Sequence, residues 1–432
     1  MSDAADRGLL GKAWGSLLGK GPAGLGRDLR DYARWRMTRR DDVVGAPAPH
    51  PLSNLELNLQ EIQQLPETLS SRPILVYAEA TTRCNLHCFM CRLSFPETTR
   101  QVREHMTLET FSRIEPLLEP GSRLSLFGLG EPLMNPNFVE MLRIAKGRGA
   151  FVGLNSNAML LTERVARAMV ELEQDLLVIS FSGGTRETYE RVITGANYDR
   201  VLDQLRRLNE LKAAALSTRD SALSTPIERV KPVLQLQFTA MRDNIAELPQ
   251  AVRLAIDLRC AGLVAMPLTV VDASIADQSL LSPDLQPRIE RAFKEAREVA
   301  ATADYPFELQ LPSGHQLSAV SAQQADPARD SAPNAQHSAL STEHSARICH
   351  EPWQTFYVRD DGRVNSCCYS NRIMGDVREQ TALEIWNGEM YRRFRARMRS
   401  ANKPSECQVC HVLRGDDSYD QRIDDEGFYD EL

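Results

Sequence analysis

No stretch of these 432 residues approaches the roughly 18 to 20 consecutive apolar side chains that carry a helix across a bilayer. The opening residues MSDAADRGLLGKAWGSLLGK have neither the continuous apolar core nor the small-residue cleavage pattern of a secretory signal. A cytoplasmic location is the expectation, and it shapes how cysteine is read. Basic excess is also missing, because 51 Lys and Arg face 58 Asp and Glu for a net charge of -7. No basic, aromatic-studded strand of the RNA-binding kind occurs, so nucleic acid is not an expected partner.

The mild net charge hides an asymmetry. Residues 1 to 40 hold nine Lys or Arg against four Asp, and residues 416 to 432 hold eight acids against Arg422. Both ends read as solvated tails. The segment DLRDYARWRMTRR (28 to 40) also reads as a basic amphipathic helix able to make weak contact with an anionic membrane surface or a partner.

With 42% hydrophobic and 25% charged side chains, the chain has enough apolar surface for one large domain and a smaller one. After the Pro-rich connector GAPAPHPLSN (45 to 54), six apolar runs read as strands: 74 to 80, 123 to 129, 150 to 156, 176 to 182, 233 to 239 and 263 to 271. Helical periodicity fills the gaps at 108 to 118, 138 to 149, 162 to 172, 198 to 214 and 247 to 258. Near-continuous apolar strands alternating with helices predict an α/β fold with a parallel sheet, closing as a partial (β/α)6 TIM-like barrel. Chemistry in such barrels sits at the C-terminal ends of the strands.

The expected division is an N-terminal segment (1 to 71), the barrel (72 to 312), a linker (313 to 347), a small extension (348 to 415) and an acidic tail (416 to 432). The linker is rich in Ser, Ala, Gln and Pro, with too few large apolar residues to offset the entropy of ordering it. STRDSALSTPIE (217 to 228) reads as a short polar insertion.

Nine cysteines fall into two groups with Cys260 alone, which fits a small buried hydrophobe. In a reducing compartment, clustered cysteines point to metal rather than to disulfides. The first group is C-x3-C-x2-C, CNLHCFMC, with Cys84, Cys88 and Cys91 in a loop directly after the first strand. Zinc with His87 or His105 as a fourth ligand is one reading; a 4Fe-4S cluster with one iron left open is the other. The second group is Cys349, Cys367, Cys407 and Cys410, which alone suits a zinc ribbon or a complete cluster, with the spacing favouring zinc.

EATTRCNLHCFMC resembles the cluster loop of the radical S-adenosylmethionine (SAM) superfamily, in which three cysteines hold a 4Fe-4S cluster and the fourth iron binds SAM. GLGEP (128 to 132) is similar to the family's glycine-glutamate motif, which implies SAM-site roles for Gly128, Gly130 and Glu131. NSNAMLL (155 to 161) resembles T-N-G-x-L-L, retaining Ser156 and Asn157 in kind and replacing the glycine with Ala158. SFSGGTRETYE (180 to 190) resembles S-x-D-G-x-x-x-E-T-Y-E. That likeness implies that Ser180 faces the ribose or carboxylate of SAM and that Arg191 pairs with its carboxylate, while Ser182 stands where an aspartate is usual. Met90 replaces the common aromatic residue and is expected to pack against adenine. The resemblance runs through Asn244 to about residue 271.

C-x-x-P-W, D-G-x-V, C-C, G-D-V, E-I-W-N-G and the final C-x2-C, over 349 to 410, are similar to the SPASM or shorter twitch extension. It implies one auxiliary 4Fe-4S cluster on Cys349, Cys367, Cys407 and Cys410, with Cys368 the alternative to Cys367. DDG (360 to 362) is the predicted turn of a hairpin between Cys349 and Cys367. The resemblance implies an oxidative enzyme fed by a flavodoxin- or ferredoxin-type donor, which modifies a peptide or protein. Dehydrogenation of a small alcohol or sugar-derived metabolite is the alternative reaction, and a non-catalytic zinc protein the alternative class. No catalytic base is assigned.

Overall fold

The six apolar runs form six parallel strands in the computed structural model, which describes residues 53–95, 104–217, 226–312, 348–408 and 410. The basic segment 28 to 40, the linker and the acidic tail lie outside the described residues. The strands are β1 (Leu75–Ala78), β2 (Arg123–Leu126), β3 (Phe151–Ser156), β4 (Leu176–Ser180), β5 (Val233–Ala240) and β6 (Gly262–Pro267), hydrogen-bonded in that order. The expected partial (β/α)6 architecture is present.

Alternation divides the sheet into two faces. Val76, Leu124, Val152, Leu177, Leu236 and Leu263 point toward the helices and are buried in the main core. Each contributes about 1.5 to 3 kcal/mol by leaving water. The other face carries polar groups toward the strand ends, where Ser180 stands in register with Gln237, and Asn155 donates to Gln237 at 3.2 Å.

Helices Phe138–Gly147, Glu163–Glu171, Tyr198–Ser217 and Leu248–Asp257 match the sequence reading within a few residues. The helix expected over 108 to 118 is divided into an α-turn Leu108–Ser112 and a 3-10 turn Glu115–Leu117. Pro116 explains the break, since it has no N–H to continue the ladder.

The C-terminal segment extends the sheet. β7 (Glu308–Gln310) adds beyond β6, while β8 (Thr355–Val358) pairs in parallel with β1, Ala78 opposite Val358. β9 (Arg363–Asn365) and β10 (Ile373–Asp376) follow antiparallel, giving the order β10-β9-β8-β1-β2-β3-β4-β5-β6-β7. The predicted hairpin turn is there, with Gly362 at φ 89.

The helix Asn54–Gln64, started by a Ser53–Glu56 capping box, was not read in the N-terminal segment. It packs onto the C-terminal segment, Asn58 donating to the Trp353 carbonyl at 2.7 Å and Trp353 donating to the Pro66 carbonyl at 2.7 Å. Arg395 locks this clasp. Fully buried, it donates to the carbonyls of Pro352, Glu67 and Trp386 at 2.8 to 2.9 Å and lies 4.4 Å from the Trp386 ring centroid. Burial lowers its pKa to about 10, so it remains charged at neutral pH. Replacing Arg395 with Met leaves the carbonyls of Pro352, Trp386 and the more exposed Glu67 without this donor and should cost about 3 kcal/mol. Differential scanning calorimetry should show the unfolding midpoint falling by roughly 5 °C. Arg395→Lys should not restore it, because an ammonium lacks the planar fork.

Candidate metal centres and cofactor site

Elements on both sides hold the cysteine loop after β1. At its start, Thr82 donates from its N–H to the Glu104 carbonyl at 3.1 Å and from Oγ1 to the Asp360 carboxylate at 2.6 Å. In the middle, the His87 N–H donates to the Thr194 carbonyl at 3.0 Å and Leu86 is buried. At the end, the Cys88 carbonyl accepts from the Cys91 N–H at 2.9 Å and from Ser94 Oγ at 2.7 Å. The three cysteines are therefore presented by a loop whose backbone is already fixed.

Their electrostatics disfavour thiolates, and no cationic side chain of the described residues is among the causes that act on Cys84 or Cys88. Burial pushes the Cys84 thiol up to about 11 and the Cys88 thiol to about 12, and the neighbouring cysteines add to the rise at Cys88. Thiolates in that setting need a bound soft metal. Among the described residues no three His, Cys, Asp or Glu groups are gathered closely enough to hold a single metal ion. Three part-buried thiols on one loop are a soft donor set of the kind that fits an iron-sulfur cluster.

The glycines of GLGEP serve the chain's own packing. A Cβ built on Gly130 would lie 2.4 Å from the carbonyl oxygens of both Thr81 and Arg83, and one on Gly128 would lie 2.4 Å from Glu79 Cγ. Glu131 is 2% exposed and accepts from the Asn157 N–H at 2.7 Å, Ser156 Oγ at 2.8 Å and the Leu133 N–H at 3.1 Å. Its own N–H donates to the Arg83 carbonyl at 2.8 Å. Glu131 thus ties the ends of β2 and β3 to the cysteine loop.

Asn157 extends that tie, its amide donating to Asn85 Oδ1 at 3.0 Å and lying 3.9 Å from Cys84 Sγ. Sequence reasoning missed Asn85, since an asparagine inside a cysteine loop carries no pattern of its own. Ser180 is half-buried at the end of β4, and Met90 packs partly buried against the core. Ser182 is buried, with Oγ accepting from the Thr239 N–H at 3.1 Å and its carbonyl accepting from Asn244 at 3.0 Å, so serine satisfies that turn. Arg191 stands apart from the others. Its side chain is half exposed and pairs with Asp243 at 3.3 Å.

The second group gathers at the opposite end of β8, because Cys349 precedes that strand and Cys367 follows the returning β9. Cys407 lies in the turn Ser405–Gln408, whose Glu406 is held in a buried pair by Arg372. Burial raises the thiols of Cys349, Cys367 and Cys407, and charge from the other cysteines of the set adds to each rise. Cys368 is the exposed member of the adjacent pair, and charge from Cys367 and Cys410 acts on its thiol as well. Cys260 is fully buried, as expected.

Comparison with known proteins matches residues 79–218 to the radical SAM superfamily model and residues 349–411 to the SPASM iron-sulfur cluster-binding domain. The chain carries a radical SAM domain. Its C-terminal segment is a SPASM domain, and the two domains together imply 4Fe-4S clusters and SAM as cofactors. The chain is 25% identical to the tungsten-containing aldehyde ferredoxin oxidoreductase cofactor-modifying protein of Pyrococcus furiosus, over 78% of this chain and 87% of that protein. It is 28% identical to the PqqA peptide cyclase of Gluconobacter oxydans over 44% and 48%. Streptococcus suis SuiB bound to S-adenosylmethionine shares the fold at 13% identity and a TM-score of 0.55, over 90% of this chain and 84% of that one. Among the described residues no helix is long and apolar enough to cross a membrane.

Gly130→Ala should displace the backbone at Thr81 and Arg83 and loosen the cysteine loop. Iron bound after anaerobic reconstitution should then fall toward the content of the second site alone. Gly147→Ala, where a Cβ meets nothing within 4 Å, should leave iron content unchanged.

Proposed function

We propose that Cys84, Cys88 and Cys91 hold a 4Fe-4S cluster with SAM at its open iron, and that Cys349, Cys367, Cys407 and Cys410 hold an auxiliary 4Fe-4S cluster. The chain then oxidatively modifies a C–H bond in a peptide or protein substrate. One observation carries the pairing of the sites: the strand bearing the three-cysteine loop and the strand between Cys349 and Cys367 are hydrogen-bonded neighbours, and Thr82 is bonded to Asp360. When bound and reduced, SAM at such a cluster supplies methionine and a 5'-deoxyadenosyl radical that abstracts hydrogen.

The chain's own residues bind, orient and exclude water. Asn157 and Asn85 hold the loop beside Cys84. Met90 would pack against adenine, and Ser180, with the Asn155–Gln237 pair nearby on the same face, would present polar groups to SAM. Arg191 would reach a carboxylate by exchanging its surface partner Asp243. The glycine-glutamate segment contributes through the backbone of Gly128 and Gly130, since the Glu131 oxygens are already engaged. A site closed by four cysteines leaves no iron for substrate, which suits electron transfer. A flavodoxin- or ferredoxin-type protein would be the donor, and the cytoplasm the location. Weak membrane-surface contact through residues 1–40 is kept as a proposal outside the described residues.

The peptide reading is supported by the PqqA peptide cyclase among the relatives, and by SuiB, which has been crystallised with its precursor peptide SuiA. A second reading, a small cofactor or metabolite, is favoured by relatives matched over most of their length. Besides the Pyrococcus protein, the AdoMet-dependent heme synthase of Methanosarcina barkeri is 24% identical over 92% of its length. Dehydrogenation of a small alcohol or sugar-derived compound belongs to this reading.

Anaerobically reconstituted protein should yield 5'-deoxyadenosine from SAM and dithionite, and Cys88→Ala should abolish it. Cys407→Ala should retain that cleavage while losing substrate conversion, measured by mass spectrometry with candidate peptides and small metabolites in parallel. Zinc uptake without iron and sulfide, or equal loss in both variants, would contradict the assignment.

A further inference from the structure

Tyr189 has a buried hydroxyl to which no role above has been given. The residue lies in the helix Arg186–Val192 and is 0% exposed. Its ring stacks on Phe181 with centroids 4.4 Å apart and meets Tyr198 edge-on at 5.6 Å, which fixes its direction. Among the described residues its oxygen has no hydrogen-bond partner. A buried, unpartnered hydroxyl is destabilising, and phenylalanine would fill the same space without that cost. The position therefore calls for an acceptor that the described residues do not supply.

The surroundings identify that acceptor's place. Two residues past this helix, the Thr194 carbonyl accepts from the His87 N–H of the cysteine loop, and Gly195, at φ 91, lies beside Leu86. Burial raises the phenol, and Cys88 is the charged neighbour that adds most. The hydroxyl is thus out of water and unpartnered among the described residues, on a helix whose exit is hydrogen-bonded to the cysteine loop.

We propose that the Tyr189 hydroxyl donates a hydrogen bond to a sulfur of the cluster held by Cys84, Cys88 and Cys91, and thereby sets that cluster's reduction potential. The inference rests on the cluster assignment above. A donor to sulfur stabilises the reduced, more negative form and favours electron uptake. Tyr189 is a tuning residue whose effect is read on the cluster itself.

The test uses the full chain, reconstituted anaerobically, as wild type, as Tyr189→Phe and with 3-fluorotyrosine at position 189. Tyr189→Phe should keep iron and sulfide content but lose one exchangeable deuteron coupling to the SAM-responsive signal in pulsed EPR after transfer to D2O. Its equilibrium constant for reduction should fall about tenfold, the worth of one charge-assisted bond. Fluorotyrosine, a stronger donor, should move that constant the other way, and the auxiliary signal should not move in either variant. Unchanged coupling and reduction in Tyr189→Phe, or loss of its iron, would overturn the proposal while leaving the wild-type cluster assignment standing. A wild-type chain with no SAM-responsive cluster would instead remove the reading beneath it.

Discussion

β1 is hydrogen-bonded along both edges, to β2 on one side and to β8 on the other. Everything chemical in the molecule depends on this double pairing. The cysteine loop leaves from its C-terminal end, the Thr82–Asp360 bond anchors that loop to the SPASM hairpin, and the helix Asn54–Gln64 closes the clasp beneath. A strand paired on one side can fray; one paired on both sides cannot move without breaking two ladders. The two cysteine groups are thereby held at the two ends of one neighbouring strand pair.

The second constraint is electrostatic. Cys84 and Cys88 in one setting, and Cys349, Cys367 and Cys407 in the other, have thiols pushed up, with burial the largest cause at each. Neither setting contains a cation among the causes that would offset it. Glu131 adds negative charge near Cys84 rather than relieving it. A fold that removes thiols from water and presses them together is completed by a cationic inorganic core. The two proposed ligand sets differ in number, three against four, and that difference would separate an open site from a closed one.

The barrel was legible because its strands and helices repeat two clear periods. CNLHCFMC was legible because cysteine spacing is chemically specific. β8 was not: TFYV is four apolar residues, and nothing in a run that short names its partner strand. The capping box SNLE at 53 to 56 is readable in principle, yet its position at the edge of a Pro-rich connector masks it. The glycines of GLGEP illustrate a subtler limit. Glycine signals close approach, but the sequence does not say to what, and the structure answers with the chain's own Thr81, Arg83 and Glu79. Arg191 shows the converse, since a motif match named its role while its side chain lies at the surface against Asp243.

The central claim is that one site is open to SAM and the other closed. Continuous-wave EPR of the dithionite-reduced, anaerobically reconstituted protein, recorded with and without SAM, tests it directly. The account predicts two 4Fe-4S signals, one changing shape on addition of SAM and the other unaffected. A single signal, or two that both ignore SAM, would contradict it.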